Sequence, residues 1–585
     1  MAKARRLYLY LVSWLALLVL VAAEITILRL ILSHAGIGPL IIGSTTLISL
    51  SDKDTLAVGL TLLLVGLGLW LFHWGTLERM TAGDDDEAAE ERASVFRSVY
   101  FSITLGLSFV SAALLWISLL TDAISDRLGA VPASSAADDD WLLTGAIVAT
   151  AVWSYHVWVR LRDVRHGTPI RGAAAWTSRL YLYGAAAVGV LGMVLASSSM
   201  ISTVLTELSG VGRPGGLDFG GLDLGVSTGS SSTPWWVRSI VAGIVGFVVW
   251  LVAWWAHWAC SNRICKSPTV LAEPERRSRI RLAYPMLVVV LATSLVGSMV
   301  IAGLSTLLSA FLLGSNLNPL WYYVVQPMLV AIPFAAAWWW HRRRAIRESA
   351  TGPAGVSANR VAGYLTAWVG LNLWGAGAAL LVLVGLDRLF PTTSMYGLDA
   401  GPFADVVWKT ELALGASYMA VGLPIWVFPW LSAHRRRAAD WAAEARSSSR
   451  SFYLYLVEAN WIVILALGVG LALYRYLRVA LGLPEPGLAG EVEQPLGLAL
   501  VAASLVAFHY RVMRRDVLGP PPAPAMATQP PYPPTAYPPT GYPPTGSPPA
   551  GYPPTDGGSS NLVQPEKADD SPGRPGDARS PYQPT

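Results

Sequence analysis

Roughly twelve stretches of this sequence run for about twenty residues or more with few charges. Each is long enough for a helix to cross a hydrocarbon layer about 30 Å thick. They fall at about 7–33, 55–77, 97–121, 141–162, 180–206, 236–260, 282–312, 320–341, 361–389, 405–433, 452–479 and 493–514. Lipid offers backbone N–H and C=O groups no water, so only helices or closed barrels can span it. These runs are too long and too continuously apolar for barrel strands. The expected fold class is an all-α integral membrane protein with about twelve transmembrane helices.

Composition agrees. Of 585 residues, 53% are hydrophobic and 14% charged, against about 25% charged in soluble domains. The two cysteines, Cys260 and Cys265, predict no disulfide framework. The first apolar run is too long for the core of a cleavable signal peptide. The net charge of +4 comes mostly from Arg near span ends, which is a topology signal and predicts no nucleic-acid partner. Lys3, Arg5 and Arg6 precede the first span, and Arg263, Lys266, Arg276, Arg277, Arg279 and Arg281 follow the sixth. Arg342, Arg343, Arg344 and Arg347 follow the eighth, and Arg435, Arg436 and Arg437 the tenth. The loops 214–233 and 314–319 carry no Lys or Arg. Basic segments stay in the cytoplasm, so the expected location is the inner (plasma) membrane, multi-pass, with both termini cytoplasmic.

Marks recur along the chain. Odd-numbered spans open on Arg and Tyr, three of them in near-copies: Arg6–Tyr10, Arg179–Tyr183 and Phe452–Tyr455. Even-numbered spans close on aromatic residues, a histidine and Arg, placing His73, His156, His257, His341, His434 and His509 at one recurring position. The spacing predicts six parallel two-helix repeats over 1–80, 95–163, 176–264, 279–347, 360–437 and 450–516, followed by a tail at 517–585. The tail, with Tyr-Pro-Pro-Thr copies from Tyr532, cannot bury a core and is expected to be disordered.

The Arg-Leu-Tyr-Leu-Tyr openings, together with spans such as Trp235–Phe247, resemble a bacterial membrane family known as domain of unknown function 5671. The resemblance extends over about Arg5–Asp516 and is clearest in repeats one, three and six. That family carries no assigned activity, so the resemblance implies a fold and no mechanism.

Few residues offer chemistry. The six histidines could form a ring that senses pH, binds metal or relays protons. Their Trp and Arg neighbours favour the plainer role of interfacial anchor. Glu24, with Arg29 five residues on, and Glu458 lie inside apolar spans. Ionisable groups there are costly and often mark a pathway, so these three form the candidate intramembrane polar site. Lys409 and Glu411 read as an interfacial pair. The Arg/Tyr openings could hold anionic lipid head groups, although positive-inside topology suffices to explain them. His257, Cys260 and Cys265 do not have the spacing of a zinc site. Asp84–Asp86 and Asp138–Asp140 read as a solvated loop and a helix start. No phosphate-binding, metalloprotease, hydrolase or dinucleotide motif occurs. We expect no catalytic residue, no metal and no cofactor. The tail's Pro-Pro-Tyr sequences could recruit a protein partner, although a solvated tether accounts for them. The sequence thus points to a non-enzymatic structural, lipid-interacting or scaffolding bundle, with a transporter or channel using Glu24 and Glu458 as the alternative.

Overall fold

The computed structural model describes residues 2–35, 52–130, 139–165, 172–209, 236–268, 272–315, 321–349, 353–389, 402–482 and 493–519. The tail at 517–585 therefore lies almost wholly outside the described residues.

Each apolar run becomes one helix, and the helices continue past the runs into their charged ends. They are α1 (Ala2–His34), α2 (Asp52–Thr81), α4 (Val95–Arg127), α5 (Asp139–Arg165), α6 (Gly172–Ser209) and α7 (Trp236–Lys266). The series continues with α9 (Arg279–Leu313), α10 (Trp321–Ser349), α11 (Pro353–Leu389), α12 (Pro402–Ala439), α14 (Ser448–Ala480) and α15 (Glu493–Leu518). These twelve are long and apolar enough to cross a membrane. Large apolar side chains such as Leu64, Phe311 and Phe428 stay exposed on them, an arrangement suited to a bundle surrounded by lipid rather than water.

Three short helices lie between: α3 (Asp86–Arg92), α8 (Ala272–Arg276) and α13 (Trp441–Ala445). Each breaks at a serine that starts the next long helix. Ser94 Oγ accepts from the Arg97 N–H, Ser278 Oγ from that of Arg281 and Ser447 Oγ from that of Arg450. This satisfies a donor that a helix N-terminus otherwise leaves open.

The packing falls into three four-helix sets, each joining two of the hairpins. In the first, α1 packs on α2, α4 and α5, and α4 on α5. The second repeats the pattern with α6, α7, α9 and α10, and the third with α11, α12, α14 and α15. Both junctions use the same elements: α4 rests on α6 and α7, as α9 rests on α11 and α12. Glycines allow the closest crossings. A Cβ on Gly189 would stand 2.8 Å from the Trp254 backbone nitrogen, and one on Gly370 2.3 Å from that of Trp426. Both glycines lie six residues after a Tyr, Tyr183 and Tyr364.

Candidate functional site

The short helices position the polar groups. Glu-x2-Ser-x2-Arg-x2-Tyr runs from Glu91 to Tyr100, from Glu275 to Tyr284 and from Glu444 to Tyr453. Once serine starts the helix, residues three apart share a face, so Arg and Tyr point the same way. The first helix of each set supplies a second Arg and Tyr one turn apart: Arg6 and Tyr10, Arg179 and Tyr183, Arg360 and Tyr364.

The linker glutamate gathers that pair. Tyr10 donates to Glu91 at 2.8 Å, Tyr183 to Glu275 and Tyr364 to Glu444 at 2.6 Å. Arg6, Arg179 and Arg360 stand 2.6, 2.7 and 3.4 Å from the same three carboxylates. All three glutamates are buried. Glu444 lies between spans, and burial alone would push its carboxyl up. Hydrogen bonds from Arg436 and Tyr364 outweigh that and hold it below the usual range.

The second arginine turns to the fourth helix. Arg97 meets Asp163 at 2.7 Å, Arg281 meets Glu348 at 3.2 Å and Arg450 meets Asp516 at 2.6 Å. In the first set Glu78 adds a further carboxylate to Arg97, at 2.9 Å. Each of these guanidiniums also lies over a tryptophan from the second helix, 5.5 Å from the Trp74 ring centroid, 5.0 Å from Trp258 and 5.3 Å from Trp430. Those indoles pack against Tyr100, Tyr284 and Tyr453. The result, three times over, is a knot of two arginines, two carboxylates, two tyrosines and a tryptophan, drawn from all four helices and their linker.

Five of the six predicted histidines sit beside these knots, buried rather than facing lipid as anchors. Their Nε2 atoms lie 3.3 Å (His73, Tyr8), 3.0 Å (His156, Tyr100), 3.1 Å (His257, Tyr181), 3.1 Å (His341, Tyr284) and 3.5 Å (His509, Tyr453) from a tyrosine hydroxyl. Their Nδ1 atoms contact the carbonyl four residues back. A carbonyl only accepts, so Nδ1 carries hydrogen and, in the neutral ring, Nε2 accepts from tyrosine. Both nitrogens are thereby occupied.

His434 is the exception. It is exposed, and the register set by tryptophan shows why. Trp70 and Trp74 flank His73, and Trp254 and Trp258 flank His257, but Trp426 and Trp430 flank Pro429. Where the first and second sets have Tyr8 and Tyr181, two residues before the glutamate-bound tyrosine, the third has Ala362. Both halves of the tyrosine–histidine pair are absent together.

The candidate polar site is not one site. Glu24 is half-buried on α1, and the Arg29 guanidinium lies over the Trp141 ring, 4.8 Å from its centroid. Glu458 is buried on α14, in a different set, and its Oε1 has no hydrogen-bond partner. Near it along α14, Asn460 donates to Asn372 Oδ1 of α11 at 2.9 Å. Lys409 pairs with Asp405, at 3.3 Å. Among the described residues no three His, Cys, Asp or Glu side chains come together as metal ligands.

The knots span four helices, and a known sequence unit spans nearly the same length. The family model for domain of unknown function DUF5671 matches residues 6–142 and again 360–504. Those two stretches are similar to DUF5671. No curated protein and no solved structure is significantly similar to the chain. The two DUF5671 matches begin at α1 and α11 and end within α5 and α15, the first and third sets. The expected resemblance of the third hairpin, carried by Arg179–Tyr183, is not part of either match. The middle set nonetheless has every contact of the knot that the two matched sets have. Sequence reasoning took the arginines and tyrosines for topology marks and missed their carboxylates. Their signal was legible: Asp163, Glu348 and Asp516 each stand seven residues after His156, His341 and His509.

Proposed function

We propose that the chain is a multi-pass protein of the plasma membrane, with both ends of its helical region in the cytoplasm, acting as a non-enzymatic structural and lipid-interacting bundle. The observation that carries this reading is the closure of the knots. Every polar element recurring across the three sets is engaged with a partner from its own set, so the recurring chemistry holds helices together. A catalytic centre would need an acid, base or nucleophile left open to a substrate. The Arg-rich C-terminal ends of α10 and α12 and the Arg-rich segment that follows α7 support the orientation by the positive-inside rule. Six parallel hairpins grouped in pairs, as three tandem units, fit the recurring contacts.

The test is a cysteine-accessibility map in sealed membranes. Cysteines introduced at Arg343 and Thr228 should label from opposite faces; labelling from one face would end the topology. A second reading, a transporter or channel, draws support from Glu458 alone, a buried carboxyl with an open oxygen. Proteoliposome flux of monovalent cations and protons that drops on Glu458→Gln, with the fold retained, would favour it over the structural reading.

A further inference from the structure

Between α4 and α5 of the first set and α6 and α7 of the second lies a cavity of about 400 Å³. Its wall is mostly apolar, with Leu105, Trp153 and Leu182 among the side chains that line it. The volume falls within the range of about 300–1,000 Å³ typical of small-molecule sites.

Five charged or titratable groups face it besides the thiol of Cys260: Arg160, Arg179, Tyr181, His257 and Glu275. Arg179 and Glu275 neutralise each other at 2.7 Å, and Tyr183 donates to the same glutamate. The His257 ring has both nitrogens engaged, by Tyr181 and the Ala253 carbonyl. Arg160 differs. Its Nη2 donates to Ser178 Oγ at 2.8 Å, and its guanidinium lies 5.7 Å from the Phe101 ring centroid. Its Nη1 is buried and has no hydrogen-bond partner. Asp163, three residues on, is held by Arg97, and among the described residues no carboxylate lies within ion-pairing distance of Arg160. A guanidinium nitrogen buried without an anion is costly, and this half-buried side chain borders an apolar chamber.

We infer that the cavity binds an amphiphile, with an oxyanion head on Arg160 and an acyl chain against the apolar wall. Carboxylate and phosphodiester heads share the chemistry a guanidinium recognises, and basic pockets between membrane helices suit such lipids. The inference rests on the membrane reading above. If alkaline carbonate released the chain from membranes, that reading would fail on its own, before any binding was measured.

Cys260 lines the cavity and is exposed, and Cys265 is the only other cysteine. The full chain carrying Cys265→Ser, in phosphatidylcholine nanodiscs, therefore reports occupancy through the rate of Cys260 labelling by a maleimide. Palmitate or phosphatidylglycerol should slow labelling, and the one that acts at lower concentration identifies the head group. Arg160→Gln should raise the concentration needed by at least about tenfold, the loss expected for one charge-assisted hydrogen bond. Arg160→Lys should fall between. An unchanged melting temperature and labelling rate in phosphatidylcholine alone show that the variants fold. Three results would overturn the inference: no protection by either anionic lipid, equal protection in Arg160→Gln, or protection by inorganic phosphate at the same concentration as palmitate.

Discussion

Tyr100 and Tyr8 make the same contact with a histidine, but Tyr100 is buried and Tyr8 is 56% exposed. Tyr100→Phe leaves a buried imidazole nitrogen unsatisfied and should cost about 1–3 kcal/mol, whereas Tyr8→Phe should cost less than about 1 kcal/mol. Thermal melts of the purified protein in detergent compare them. Arg97 is fully buried against Asp163, so Arg97→Ala strands a buried carboxylate and should cost about 3–5 kcal/mol. Arg97→Lys should recover only part of that, because an ammonium cannot span two carboxylates and an indole face at once. Glu444 gives a pH signature. Its carboxyl is held below the usual 4.5, so the ionised form favours the fold. That stabilisation is complete above the ordinary value and disappears as pH falls through the lower folded value. Melting temperature should therefore decline below about pH 4.5, and Glu444→Gln should flatten part of that decline; an identical profile in the variant would refute the assignment. The sequence made the arginines and tyrosines visible but not their carboxylate partners. Arg97 and Asp163 lie 66 positions apart, and an isolated Asp near a span end looks solvated. His434 was placed by its type and its neighbouring Arg cluster, whereas the tryptophan pair fixes the register at Pro429.

At the level of elements, the twelve long helices were legible because a bilayer-length apolar run admits few other structures. The short α3, α8 and α13 were not. They are brief, and they exist because a serine cap and a buried glutamate define their ends. The crossing of α11 and α12 was also hidden, because glycine spacing reveals its meaning only when the opposing backbone is known. A Cβ at Gly422 would come within 2.4 Å of the Trp374 backbone nitrogen, a contact that no rotamer change relieves. Gly370→Val or Gly422→Val should force α11 and α12 apart and lower the melting temperature sharply. Gly470→Ala, where nothing lies within 4 Å, should be neutral or stabilising by up to about 1 kcal/mol. Equal effects at the two kinds of site would mean that the crossing is not tight.

At the level of the whole molecule, pairing the hairpins changes what counts as a unit. Periodicity in the histidines suggested a two-helix module, because both hairpins of a set carry a similar mark. The ion pairs of Glu91, Glu275 and Glu444 tie the first hairpin of each set to the linker before the second, and that geometry distinguishes a six-part from a three-part chain. The two DUF5671 matches, each beginning at the first helix of a set, agree with the larger module. That grouping has a consequence for biogenesis. Helices leave the ribosome in order, and after α2 a nascent chain carries Arg6 and Tyr10 without Glu91. After α4 it has Arg97 without Asp163. Until α5 brings Asp163, Arg97 has only Glu78 of α2 as its carboxylate, so the first knot is complete only after four helices and the bilayer should accept this protein in instalments of four. Chains stalled after α4 should therefore be held by insertion factors and degraded faster than chains stalled after α5, although the two differ by a single span.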